Sequence, residues 1–337
     1  MKKLALFASG NGTNVQQISE YFLNRDGITV DCVVVNKQNI YVIERAKNLG
    51  IDCFYFNRND FYNSDKVLDL MKQRGIDYII LAGFLWLVPE NLLKNYDHKI
   101  INIHPALLPS YGGKGMYGHH VHEAVIAAKE KQSGITIHYV NEKYDSGDII
   151  FQAKCDIKPT DTPEDLAKSI HVLEKTYFPE IIERTIFLQS AIELAKANIA
   201  SKKGGPFGAI IVKDGKIIAQ GTNTVTSTND PTAHAEVNAI RNACKQLNDF
   251  NLSGCEIYTS CEPCPMCLSA IYWARLDRIY YAAGQNDAAF GGFDDTYIYK
   301  EIALDKKDRA IKSEQFLKEL GRQPFEQWNN TQDKIKY

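Results

Sequence analysis

From residue 1 to about residue 156, short apolar runs alternate with segments of helical periodicity, and this alternation constrains the fold more than any other feature of the chain. Leu4–Ala8, Val30–Val35, Tyr78–Ala82 and Lys99–His104 read as strands, with Thr13–Asn24, Ile40–Leu49 and Asp60–Arg74 as the helices between them. Strands joined in this way form βαβ units and a mainly parallel sheet. Ser133–Asn141 and Asp148–Asp156 add a hairpin-like pair, and Thr162-Pro163-Glu164 opens a helix that runs to about Arg184. Proline suits an early helical position, because its missing N–H would have no partner there anyway.

A second series begins near Phe187. Leu188–Ser201 is helical, and Phe207–Lys213 and Lys216–Asn223 form a hairpin around the turn pair Asp214-Gly215. Ala233–Leu247 is a helix, Glu256–Ser260 a strand, Pro265–Ala274 a helix and Arg278–Ala283 a strand. The sequence therefore predicts two α/β domains, 1–186 and 187–337, in a chain of 337 residues, where one domain takes about 150. No Gly-, Ser- or Pro-rich linker marks the boundary, so the helices on either side of it should be nearly continuous. Seven of the eight histidines lie before it and five of the eight cysteines after it.

The net charge is −2, with 21 basic and 23 acidic residues before the boundary and 18 of each after it. Nucleic-acid binding rests on an excess of Lys and Arg, so a nucleic-acid partner is not expected. The longest apolar run, Tyr78 to Val88, has eleven residues, against about 20 for a membrane helix. The start of the chain imitates a signal peptide, but the apolar stretch Leu4–Ala8 has only five residues and reads as a buried strand. Three cysteines at 261, 264 and 267 suggest metal chemistry rather than disulfides. Together these features predict a cytoplasmic protein.

In the second half, His234-Ala235-Glu236 begins a helix, and Pro263-Cys264-Pro265-Met266-Cys267 follows about thirty residues later at a strand-to-helix turn. This is the H-x-E…P-C-x-x-C pattern of zinc deaminases. Two thiolates spaced by two residues can face one metal at a helix start, where the dipole favours their charge. His234, Cys264 and Cys267 make three ligands, and a catalytic zinc keeps its fourth position open to water. Glu236, two residues from a ligand, can carry a proton from water to a leaving amine. The competing expectation is a closed structural site with Cys261 as the fourth ligand.

The region 187–337 resembles the cytidine and deoxycytidylate deaminases, and within them guanine deaminase. The likeness rests on Gly204-Gly205-Pro206-Phe207-Gly208-Ala209, Asn229–Glu236, Tyr258–Cys264, Ile271–Arg275, Gly292-Phe293-Asp294-Asp295 and the terminal Lys336-Tyr337. It implies a three-layer α/β/α fold and hydrolysis of guanine to xanthine and ammonia. Glu236 would be the main proton shuttle and Asp295 would assist it. Asn223 would hydrogen-bond the base, and Phe207 and Trp273 would line its pocket. The resemblance also implies a homodimer in which an exchanged C-terminal segment brings Tyr337 to the partner's pocket. A tRNA adenosine deaminase and a cytosine deaminase share the zinc pattern and stay open as alternatives. The zero net charge of this half and the Phe293-Asp294-Asp295 stretch weigh against them.

In the first half, Ala8-Ser9-Gly10-Asn11-Gly12-Thr13-Asn14 follows the first strand and opens a helix, a placement that offers backbone N–H groups to a phosphate. Asn102 and His104 stand two apart at the end of a strand, in Asn102-Ile103-His104-Pro105, so their side chains share a face. An amide and an imidazole there suit oxyanion stabilisation and proton movement. Asp145 is expected to pair with His104 and raise its pKa.

Residues 1–185 resemble phosphoribosylglycinamide formyltransferase, with a Rossmann-like, mostly parallel sheet. The motifs are Ser9–Asn14, Leu81-Ala82-Gly83-Phe84, Asn102–Pro109, Ile137-His138-Tyr139-Val140 and Asp145–Ile150. They imply transfer of a formyl group from 10-formyltetrahydrofolate to the amine of glycinamide ribonucleotide. Asn102, His104 and Asp145 would be the catalytic set. Gly12, Thr13 and Asn14 would bind the substrate phosphate and Glu174 its ribose. Leu85, Trp86, Leu87 and Val88 would line the folate pocket, Trp86 standing where many relatives carry arginine, with His138 supporting the catalytic set. The stretch Gly112–His120 is longer than the usual connection, and it reads as a substrate-side lid rather than a metal site of His119, His120 and His122. A methionyl-tRNA formyltransferase and a non-catalytic folate- or purine-binding module are the alternatives for this half.

Overall fold

The computed structural model describes residues 1–335. Residues 1–186 with 214–216 form one compact unit, and 187–213 with 217–335 form a second. In the first unit the chain runs β1 (Lys2–Ala8), α1 (Thr13–Phe22), β2 (Ile28–Val35), α2 (Tyr41–Asn48), β3 (Asp52–Tyr55), α3 (Arg58–Tyr62) and α4 (Lys66–Arg74). It continues with β4 (Tyr78–Leu81), α5 (Glu90–Asn95), β5 (Ile100–His104), α6 (His119–Ala127), β6 (Gln132–Tyr139), β7 (Ile149–Asp156) and α7 (Pro163–Ser201).

The seven strands are ordered β3-β2-β1-β4-β5-β6-β7. The pairs from β3 to β5 are parallel, and β6 and β7 are antiparallel. Leu4 to Ala8 are fully buried and all four residues of β4 are buried, as expected for parallel strands covered on both faces. The strand order reverses between β1 and β4, and the carboxyl ends of strands at such a point open a ligand crevice. The loops after β1 and β4 meet there, the Ser9 N–H donating to the Gly83 carbonyl at 3.0 Å.

One expected element is split, and the near-continuity expected at the boundary is complete. The single helix over 60–74 is split into α3 and α4, because Ser64 donates to the Asp60 carbonyl at 2.8 Å and the Asn63-Ser64-Asp65 side chains compete for helical backbone groups. The two helices expected around the boundary are one helix of 39 residues. Arg184-Thr185-Ile186-Phe187-Leu188 contains no glycine or proline to stop it.

The second unit continues from α7 with β8 (Gly208–Lys213), β9 (Lys216–Thr222), α8 (Val225–Thr228), α9 (Ala235–Leu247), β10 (Cys255–Cys261) and α10 (Pro265–Ala274). It ends with β11 (Arg278–Ala283), α11 (Gln285–Phe290), α12 (Thr296–Ala303) and α13 (Lys318–Asn330). The turn between β8 and β9 has Asp214 at φ 51° and Gly215 at φ 74°, the positive angles that a two-residue hairpin turn requires. The sheet order is β11-β10-β8-β9. Ala209, Ile211 and Ile257 bury one face against Ala235, Ala239 and Ile271 of α9 and α10. On the other face Phe187 of α7 meets Tyr258 edge-on, with ring centroids 5.2 Å apart. Because neighbouring strand residues point to opposite faces, helices flank this sheet on both sides. None of α11, α12 and α13 buries a residue in the single chain.

No helix of the described residues is long and apolar enough to cross a membrane.

Candidate active sites

In the first unit, Asn102 and His104 lie on β5, paired in register with His138 and Thr136 of β6. The His138 Nδ1–H donates to the Tyr139 carbonyl at 2.7 Å, which leaves Nε2 to accept from Asn102 Nδ2 at 3.0 Å. Asp145 stands between the two rings, with Oδ2 3.5 Å from His104 Nδ1 and Oδ1 3.7 Å from His138 Nε2. Its backbone is left-handed, φ 52°. A Cβ on neighbouring Gly147 would lie 1.8 Å from the Tyr139 carbonyl oxygen, so only glycine fits that close approach.

Electrostatically, burial pushes the His104 ring below its ordinary pKa, and Asp145 only partly opposes this. The expected rise is thereby corrected: desolvation of the ring outweighs the carboxylate. Burial also pushes the Asp145 carboxyl up, but the neighbouring His138 and His104 rings and the Gly113 N–H outweigh it and hold Asp145 below its ordinary value.

Two backbone groups complete the set, and neither was visible in the sequence. The His104 Nε2–H donates to the Tyr111 carbonyl at 2.8 Å, and the Gly113 N–H donates to Asp145 Oδ2 at 2.9 Å. The first residues of the expected lid are thus built into the site. His119 lies 3.5 Å from Glu123 and 3.7 Å from Glu164, and His120 lies 3.3 Å from Glu123. The sequence reading missed these acidic neighbours. Buried His122 leaves Nδ1 without a hydrogen-bond partner among the described residues.

The loop after β1 ends on Gly12, whose φ of 75° and whose contact with Val42, 2.3 Å from a built Cβ, exclude any side chain. The free N–H groups at the start of α1 follow directly, at Thr13 and Asn14. Asn14 Nδ2 approaches Glu174 Oε2 at 3.5 Å, and His171 Nδ1 lies 3.1 Å from the same oxygen. The expected phosphate loop and the expected ribose ligand are therefore adjacent. Arg45, which the sequence reading passed over, donates to the Asn11 carbonyl at 2.8 Å. Among the expected folate contacts, Val88 is buried in the core, and Trp86 packs with Phe61, centroids 5.3 Å apart, and with Tyr62 and Phe84. Leu87 is half-buried and Leu85 exposed.

In the second unit, His234 caps α9 and Cys264 caps α10, with Pro265 at the first helical position and Cys267 in the first turn. His234 Nδ1 is 3.6 Å from Cys264 Sγ and 3.5 Å from Cys267 Sγ. A tetrahedral zinc with bonds of about 2.0 Å to nitrogen and 2.3 Å to sulfur spaces such atoms about 3.5 Å apart, so the trio fits that ion. Among the described residues these three form the one group of His, Cys, Asp and Glu whose donor atoms converge. Cys261 is not a fourth ligand, since its thiol points to the Gly284 carbonyl at 3.8 Å and burial pushes it up to about 11. The hydrogen bond from Cys267 and the His234 ring draw the Cys264 thiol down to about 4, so one thiolate is favoured in advance. Glu236 is buried, 3.3 Å from Cys267 Sγ, and burial raises its carboxyl.

Asn223 follows β9, and its Oδ1 accepts from the Gly205 and Val225 N–H groups, each at 3.2 Å. This fixes the amide and leaves its NH₂ for a ligand. Phe207 meets Phe293 edge-on, centroids 5.0 Å apart. Asp295 caps α12, its carboxyl raised by burial and by the nearby Cys264 sulfur. Trp273 departs from expectation. It is 67% exposed on the outer side of α10, because the inner side is taken by Cys267, Ile271 and Ala274. Tyr337 lies outside the described residues.

A mostly parallel sheet with a polar set at the carboxyl end of β5, and a second sheet with a three-ligand site on two helix N-termini, define two α/β classes. The chain belongs to the formyl transferase family over residues 2–182 and to the cytidine and deoxycytidylate deaminase zinc-binding family over residues 182–283. It is 54% identical to the guanine deaminase of Bacillus subtilis over 151 residues, 45% of this chain and 97% of that protein. It is 39% identical to the chloroplastic phosphoribosylglycinamide formyltransferase of Arabidopsis thaliana over 190 residues, 54% of this chain and 64% of that protein. Among solved structures, glycinamide ribonucleotide transformylase 1 of Geobacillus kaustophilus matches with a TM-score of 0.50 and 37% identity, covering 54% of this chain and 97% of that one.

Proposed function

We propose that the chain is a bifunctional cytoplasmic enzyme of purine metabolism, with a formyltransferase domain over 1–186 and a guanine deaminase domain over 187–337. The observation that carries this is the presence of a complete side-chain set in each unit: Asn102, His104 and Asp145 in one, and His234, Cys264, Cys267 and Glu236 in the other.

In the first domain the amine of glycinamide ribonucleotide attacks the formyl carbon of 10-formyltetrahydrofolate. Asn102 Nδ2 keeps one hydrogen beyond that given to His138, and this hydrogen meets the developing oxyanion. His104 Nε2–H joins it once the Tyr111 carbonyl gives way, with the Asp145 carboxylate 3.5 Å from Nδ1. Asp145, through an ordered water, moves the proton lost by the amine to the departing folate nitrogen. The N–H groups of Thr13 and Asn14 at the start of α1 take the phosphate. Glu174 takes the ribose.

In the second domain His234, Cys264 and Cys267 would hold zinc, which when bound would supply Lewis acidity and make water nucleophilic near neutral pH. Glu236 takes the proton of the attacking water and delivers it to the leaving amine, and Asp295 assists at the amino group. The Asn223 NH₂ binds the base and Phe207 stacks against it. A homodimer with exchanged C-terminal segments would cover the large apolar side chains that the single chain leaves exposed, among them Trp273, Phe290 (96%), Phe316 (77%) and Phe325 (70%).

The zero net charge of 187–337 favours a small base over tRNA. The purified chain, loaded with zinc and given guanine, cytosine, adenosine and tRNA in turn, is expected to release ammonia from guanine and at most traces from the rest. Preferential release from tRNA or cytosine would overturn the substrate assignment.

A further inference from the structure

Among the polar groups that neither proposed mechanism uses, the Tyr299 hydroxyl stands where three segments of the second unit meet. It donates to the Pro263 carbonyl at 3.0 Å, and the Gln285 side chain at the start of α11 donates to it. Pro263 is buried and directly precedes the metal-ligand candidate Cys264. Burial pushes the Tyr299 hydroxyl above its ordinary value, so it stays protonated and remains a donor.

The helix it belongs to has little else to hold it, since α12 buries none of its own residues. Asp295 caps this helix and the Tyr299 N–H donates to the Asp295 carbonyl at 3.2 Å. Residues four apart on a helix share a side, so Asp295 and Tyr299 face the metal-binding loop together. We infer that Tyr299 is a positioning residue, whose bond to Pro263 pins α12 and so sets Asp295 against the loop that carries Cys264. The inference rests on the reading of this unit as a guanine deaminase in which Asp295 acts on the substrate.

The test is Tyr299→Phe in the full chain, with four readouts: zinc per chain, amide hydrogen exchange over 296–303, kcat and KM for guanine, and the same kinetics in an Asp295→Asn background. Zinc content is expected to stay at the wild-type level. Exchange in α12 should quicken about tenfold and kcat/KM fall about five- to tenfold, the size of one lost hydrogen bond. In the Asp295→Asn background the second change should cost less than twofold further, because one residue acts through the other. Unchanged exchange and kcat/KM would overturn the inference, as would losses that multiply in the double variant. Exchange is read without substrate, so it decides the tether even if another base were the true substrate. Failure of the tether and failure of the guanine reading are thereby told apart.

Discussion

Glu236→Gln is expected to lower ammonia release from guanine by about a thousandfold, within the range that general acid–base catalysis supplies, while zinc per chain stays unchanged. Glutamine keeps the shape of the buried side chain, which lies 3.3 Å from Cys267 Sγ, but cannot accept and return a proton. The three atoms that fit zinc belong to His234, Cys264 and Cys267, so the metal has no reason to leave. Steady-state deamination with metal analysis on the same sample checks both halves. Robust turnover by the variant would remove Glu236 from the role of proton shuttle. Loss of zinc would show that the carboxylate supports the ligand cluster instead.

His104→Ala is expected to cut formyl transfer by about a thousandfold as well, with guanine deamination within twofold of wild type. The ring is buried between Asp145 and the Tyr111 carbonyl. Its loss removes a donor from the proposed oxyanion position and leaves Asp145 with one histidine neighbour, His138. Formylated product counted by chromatography, beside ammonia release from the same preparation, gives the comparison. A parallel fall in both activities would mean that the sites do not work independently.

Much of this was legible in the sequence, for identifiable reasons. His234-Ala235-Glu236 and Cys264-Pro265-Met266-Cys267 announce a site because both sit at helix starts, where short spacings place side chains together. Asn102 and His104 share a strand face by the same logic of local geometry. Tyr111 and Gly113 were not legible as site members, because their contributions are a carbonyl and an N–H that every residue carries. The pKa of His104 was read in the wrong direction because a pairing partner can be guessed from sequence, whereas the depth of burial around it cannot. Trp273 was placed in a pocket by resemblance, yet the buried side of α10 was already spoken for by Cys267, Ile271 and Ala274. The helices beyond Ala283 were not foreseen, and they build no core of their own from which their packing could have been deduced.

The central claim is that one chain carries two working sites of different chemistry. One preparation of the unaltered, zinc-loaded chain, supplied together with glycinamide ribonucleotide, 10-formyltetrahydrofolate and guanine, tests it most directly when all products are followed by mass spectrometry. Formylated ribonucleotide and xanthine are expected from the same sample, each forming at the rate seen when its own substrates are given alone. The absence of either product from folded, zinc-loaded protein would contradict that claim.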